Sequence, residues 1–121
     1  EEILDRSADA FRRGDAQAAA AVEPLEQVVD LLKEQLRTRH ILRMRGGKCS
    51  IEAGFVWADL LTDLERTSDH CSNIAGCVID AAQHNLNLHE TLHAIRRNDD
   101  SFQRRFRSYL EAYSLPTLPS M

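Results

Sequence analysis

Residues that break helices are scarce in this chain. It has five glycines and three prolines in 121 residues, and two of the prolines, Pro116 and Pro119, lie in the tail. Most of the sequence is therefore free to run as uninterrupted helix. Long apolar runs are missing too. No stretch approaches the roughly 20 residues that span a bilayer, and nothing at the N-terminus has the build of a signal peptide. The first residue is Glu1 rather than Met, which reads as a fragment of a longer protein. Cysteine is sparse: Cys49, Cys71 and Cys77 cannot all pair and form no C-x-x-C, so a thiol-reducing compartment is expected. There is no excess of positive charge. A net charge of -4 argues against a nucleic-acid partner, which usually selects a basic domain. No segment alternates with the period of two that a strand needs. Gly-rich phosphate loops, Ser/His/Asp signatures and dinucleotide motifs are also absent.

What is present is helical pattern. An apolar fraction of 43% and a charged fraction of 28% are ordinary for a globular protein, and the length fits one domain, 1–121, with one core. The fold class expected is all-α, an antiparallel helical bundle. A first helix is predicted from about Ile3 to Arg13, ended by Gly14. Asp15 can cap a second that runs to about Arg45. Pro24 either kinks that helix or sits in the first turn of a new one. Its stripe is Leu25, Val28, Val29, Leu32 and Leu36. Gly46-Gly47 stops it, and Ser50 can cap the longest helix, ending near Asn85 to Asn87. That helix carries Val56, Leu60, Leu64, Cys71, Ile74 or Ala75, and Val78 at near-heptad spacing, widened by Leu61 and Ile79. Phe55 and Trp57 are expected to fill the core near the turn. A short helical piece from about Leu88, a last helix capped by Asn98 to Ser101 and reaching about Tyr113, and an irregular tail over 114–121 complete the reading.

Two Glu-x-x-x-Asp pairs stand out, Glu26/Asp30 and Glu65/Asp69. Residues four apart share a helix face, where like charges repel by a few tenths of a kcal/mol, and a hard cation relieves that repulsion. The spacing alone is common: Glu1/Asp5, Asp5/Asp9, Asp30/Glu34 and Asp59/Asp63 share it. Register singles the two out. The first pair is centred 18 residues before Gly46 and the second 17 after Ser50, so in a hairpin both lie about 26 Å from the turn. Each Glu directly follows a stripe residue (Leu25, Leu64), a displacement of roughly 100° in one sense. In antiparallel helices that sense brings four carboxylates to one outer side of the hairpin. A solvated acidic edge is the plain alternative.

Other motifs are weaker. His89-Glu90-Thr91-Leu92-His93 matches the H-E-x-x-H of zinc peptidases, but those hold substrate along a strand and none is expected here. Glu90-x-x-His93 resembles the di-iron four-helix motif, which requires two copies. His70 is a secondary candidate ligand, and Cys71 falls on the apolar stripe. The basic residues Arg37, Arg39, Arg43, Arg45 and Lys48 meet the C-terminal helix dipole favourably; a membrane-facing or phosphate-contacting surface is the alternative.

Residues 22 to 79, above all the run HILRMRGGKCSIEAGFVWADLLTDLERTSDHCSNIAG, resemble the PhoU-like domain at the C-terminal, cytoplasmic end of bacterial sodium/phosphate cotransporter family proteins. The stretch from Leu88-His89-Glu90 through Phe102, Phe106, Tyr109 and Tyr113 is similar to the corresponding C-terminal stretch of those proteins. The resemblance implies a PhoU-type three-helix unit plus a C-terminal helix, and a non-catalytic regulatory role in phosphate transport. It implies a bacterial protein on the cytoplasmic side of the inner membrane, partnered by a transmembrane phosphate transporter or a second copy of itself, and not by nucleic acid. PhoU proteins bind iron or zinc clusters through Glu/Asp-x-x-x-Asp motifs, matched here by Glu26, Asp30, Glu65 and Asp69. Complete PhoU proteins carry two three-helix repeats, and this chain has room for about one. The metal-free alternative is a helical dimerisation module.

Overall fold

Gly14 adopts a left-handed φ of 59° and its N–H bonds back to the carbonyls of Ala10 and Phe11, which ends helix α1, Glu2–Arg13. The computed structural model describes residues 1–83 and 100–118. Asp15 then caps a short helix α2, Ala16–Ala20, its carboxylate accepting the N–H groups of Gln17 and Ala18 at 3.1 Å each. The break comes at Ala21, and α3, Val22–Arg45, begins there with Pro24 in its first turn. A proline is tolerated at that place because the first N–H groups of a helix have no partner to lose. Of the two sequence readings, a fresh helix rather than a kinked one is what forms.

Gly47, with φ 67°, and the bond from Lys48 N–H to the Arg43 carbonyl at 2.9 Å close the turn. Ser50 Oγ accepts the N–H of Ala53 at 3.1 Å and starts α4, Ile51–Gln83, 33 residues long. At 1.5 Å per residue it extends about 50 Å. Helix α5, Asp100–Ala112, follows, and residues 114–118 carry no regular structure. No strand occurs among the described residues. The expected piece near Leu88 and the cap at Asn98 and Asp99 lie outside the described residues.

The backbone of the fold is the antiparallel α3–α4 hairpin, the most extensive helix pairing. Helices α1 and α2 pack on α4, and α5 packs on α3. The core joins Ile3 and Ala10 of α1, Ala19 of α2, Val22 and Leu25 of α3, and Cys71, Ala75, Val78 and Ile79 of α4, with Tyr109 of α5 against it. Alanines at three of these places let helix backbones approach closely. Arg6 lies over the Tyr109 ring, 5.6 Å from its centroid, and the Tyr113 hydroxyl donates to the Glu2 carboxylate, tying α5 to α1.

The core thus sits at the end of the hairpin away from the turn, and two expectations change. Helix α1 has only 12 residues, and the groove it forms with α4 runs from Thr67 to Ile74. Val56, Leu60 and Leu64, assigned to the core by their spacing, are instead exposed. Phe55 is also exposed, at 69%, because it points off the line where α4 meets α3. Trp57 is half-buried against His40, with ring centroids 6.4 Å apart. All three cysteines are free thiols.

Candidate metal centre

The α3–α4 register sets the site. Each step along α3 is answered by an equal step back along α4: Glu23 meets Ser72, whose hydroxyl donates to its carboxylate, and one turn on Glu26 meets Asp69. Glu26, Asp30 and Asp69 each offer a carboxylate oxygen, and these oxygens lie within 4.8 Å of one another. Glu26 is buried, Asp30 half-buried and Asp69 exposed, so the cluster opens from the helix seam toward solvent. Gln27 Nε2 donates to Glu26 Oε2 at 3.2 Å.

Electrostatics mark Asp30 as the crowded member. Burial pushes its carboxyl above the ordinary aspartate value, and the negative charges of Asp69 and Glu65 push the same way. A hydrogen bond with Glu26 and the Lys33 ammonium oppose them.

The fourth predicted residue, Glu65, stands next to the cluster and takes a different partner. Its carboxylate pairs with the Lys33 ammonium across the hairpin. Sequence reasoning missed Lys33. Its signal was available: it follows Asp30 by three residues, hence on nearly the same face, and opposes the turn of α4 that precedes Glu65. Glu23 was missed as well, since a first-turn glutamate ordinarily reads as a dipole partner; here it is one of the most buried side chains. Ser68 Oγ is buried with no hydrogen-bond partner among the described residues. His70 turns away from the carboxylates and lines the α1–α4 groove with Leu4, Phe11 and Ile74. Cys71 belongs to the core. His89, Glu90 and His93 lie outside the described residues.

The donor set is oxygen only, which suits hard cations, and zinc also accepts carboxylate oxygens at about 2.0–2.2 Å. Oxygens around such a tetrahedral ion stand about 3.3–3.6 Å apart. The three oxygens, within 4.8 Å of one another, would close in by up to about 1–1.5 Å to hold one such ion, and the excess negative charge supplies the attraction. Glu26, Asp30 and Asp69 would be the holders of such a cation, with Glu65 available if Lys33 withdraws.

Fold and site together define a helical-bundle domain with a carboxylate cluster on the seam of two antiparallel helices. The PhoU domain family matches residues 1–78, which takes in α1 to α3 and nearly all of α4, and the chain belongs to that family. That family relates to the regulation of phosphate homeostasis. No curated protein and no solved structure matches the chain. No described helix is long and apolar enough to cross a membrane.

Proposed function

We propose that this domain is a non-catalytic regulatory module of a sodium/phosphate cotransport system, acting at the cytoplasmic face of a bacterial inner membrane. Its centre at Glu26, Asp30, Glu65 and Asp69 holds iron or zinc in a structural or regulatory role. The observation that carries the metal assignment is the convergence of Glu26, Asp30 and Asp69 from two helices, with their oxygens within 4.8 Å. An uncompensated cluster of this kind on a helix seam is unfavourable, and a cation converts it into a clamp between α3 and α4. Occupancy would then fix the hairpin that a transporter partner, or a second copy of the chain, contacts.

Metal analysis of the purified domain and of Asp30→Asn/Asp69→Asn tests this. Metal in the parent and none in the variant is the expected result. Metal in neither, after incubation with zinc or ferric iron, sinks the assignment. The transporter link is tested separately, by phosphate uptake in cells carrying the same substitutions in the full-length protein. A second reading is favoured by one contact: the Lys33–Glu65 pair supplies a built-in counter-charge. On that reading the domain is a metal-free helical interaction module, and its self-association is indifferent to chelators.

A further inference from the structure

The hairpin tip separates charge from the rest of the molecule. Between Gln35 and Ile51 the chain carries Arg37, Arg39, Arg43, Arg45 and Lys48 and no acid, although its net charge is -4. Two of these cations are committed inside the fold: Arg39 donates to the Pro116 carbonyl at 2.6 Å, and Arg43 lies over Trp57 at 5.4 Å. Arg37 is shared with Glu34 at 3.2 Å. Arg45 and Lys48 are exposed and make no ion pair among the described residues.

Apolar side chains are exposed at the same tip: Ile41, Met44, Ile51 and Phe55. Their placement is not scattered. The two helices touch where Gly54 packs on His40 and Met44. Ile41 directly follows His40 and Phe55 directly follows Gly54, so each is turned about 100° from the contact line in the same sense. In antiparallel helices equal displacements fall on one side. Arg37, Met44 and Arg45 occupy the same sector of α3, between about 40° and 140° from the His40 direction. One side of the tip therefore presents aliphatic and aromatic side chains with Arg37 and Arg45 among them and Lys48 in the turn, while the acids Glu34, Glu52 and Asp59 stand at its margins.

We propose that the tip of the α3–α4 hairpin docks on an anionic phospholipid surface. Ile41, Met44, Ile51 and Phe55 enter the headgroup boundary, and Arg37, Arg45 and Lys48 contact lipid phosphates. Interfacial binding needs both apolar insertion and charge, since either alone gives marginal attachment. A nucleic acid would match the cations but leave Ile51 and Phe55 in water, and none of the cavities among the described residues is lined by the tip, as a free phosphate would need. The proposal is independent of the metal centre and of the transporter assignment.

Co-sedimentation of the whole chain with phosphatidylcholine vesicles, with and without phosphatidylglycerol, tests it. Binding is expected only to the anionic vesicles and should fall as salt is raised. Arg45→Gln/Lys48→Gln should weaken partitioning by about tenfold or more, given the contribution of each cation near such a surface. Phe55→Ser should weaken it by about tenfold through lost insertion. All three side chains are exposed, and unchanged helical circular dichroism checks that the fold persists. Equal binding to neutral vesicles, no binding to either kind, indifference to the substitutions, or tighter binding to a duplex oligonucleotide at the same salt would each overturn it.

Discussion

Asp30 is held between opposing demands: partial burial and the charges of Asp69 and Glu65 disfavour its anion, while Glu26 and Lys33 support it. Because its carboxyl titrates above the unfolded value, the folded domain binds more protons in the window between the two. Its contribution to stability is therefore favourable as pH falls through the folded pKa and is lost as pH rises through it. Glu2 has the opposite sign, since the Tyr113 hydroxyl, and after it Arg6, hold its carboxyl below the ordinary range. The difference between the parent chain and Asp30→Asn isolates the first effect. Asp30→Asn should stabilise the metal-free domain at neutral pH by about 0.5 kcal/mol, and that gain should shrink as the solution is acidified, read by urea denaturation at several pH values. Metal affinity should move the other way, falling with pH because protons compete for the same oxygens, and dropping about tenfold or more in the variant. An Asp30→Asn chain less stable than its parent in chelator would show that the cluster is not a source of repulsion. The convergence of Glu26, Asp30 and Asp69 was legible in the sequence because spacing and register are local arithmetic, whereas Glu65, expected with them, pairs with Lys33 instead. Lys33 was not legible, because a lysine on a half-polar helix face is indistinguishable from a solvated one until the opposite helix supplies Glu65.

The hairpin is defined at the level of its elements by a cap, a turn and a close approach. Ser50 Oγ satisfies the Ala53 N–H, so Ser50→Ala should cost about 1 kcal/mol. Gly54 is a different kind of residue. In a helix interior Gly→Ala ordinarily gains about 1 kcal/mol, but an added Cβ here would stand 3.2 Å from both His40 Nε2 and Met44 Sδ. Met44 can move, whereas His40 is buried beside Trp57. The gain and the clash should nearly cancel for Gly54→Ala, while Gly54→Val should destabilise by about 1–3 kcal/mol, both measured by denaturant midpoint. A Gly54→Val chain as stable as the parent would mean the two helices stand farther apart than they do here. Helix starts and stops were readable at Gly14, Asp15, Gly46 and Ser50 because capping chemistry is carried by single residues. The break at Ala21 was not, because an alanine run has no signal for ending a helix and Pro24 draws attention three residues too late.

The whole molecule is shaped by a mismatch of lengths: 12 residues of α1 beside 33 of α4. Periodicity correctly marked Val56, Leu60, Leu64, Cys71 and Val78 as one stripe, but a stripe says only which residues share a face. What covers it depends on how far the neighbouring helix reaches. Cys71 and Val78 lie under α1 and are buried, whereas Leu60 and Leu64 lie past its N-terminal end and are 45% and 55% exposed. Leu61, one position over, faces α3 and is buried. These neighbours should therefore respond to substitution in opposite ways. Leu61→Ala should cost at least about 2 kcal/mol, as buried leucines do. Leu60→Ser/Leu64→Ser should change the unfolding free energy by no more than about 0.5 kcal/mol per site, the range of ordinary surface changes. Chemical denaturation at two protein concentrations checks both statements together. A midpoint that rises with concentration in the parent, and ceases to do so in the Leu60→Ser/Leu64→Ser chain, would mean that a second copy covers the stripe. A large cost that is independent of concentration would return Leu60 and Leu64 to the core within one chain, and would require α1 to lie farther along α4 than it does.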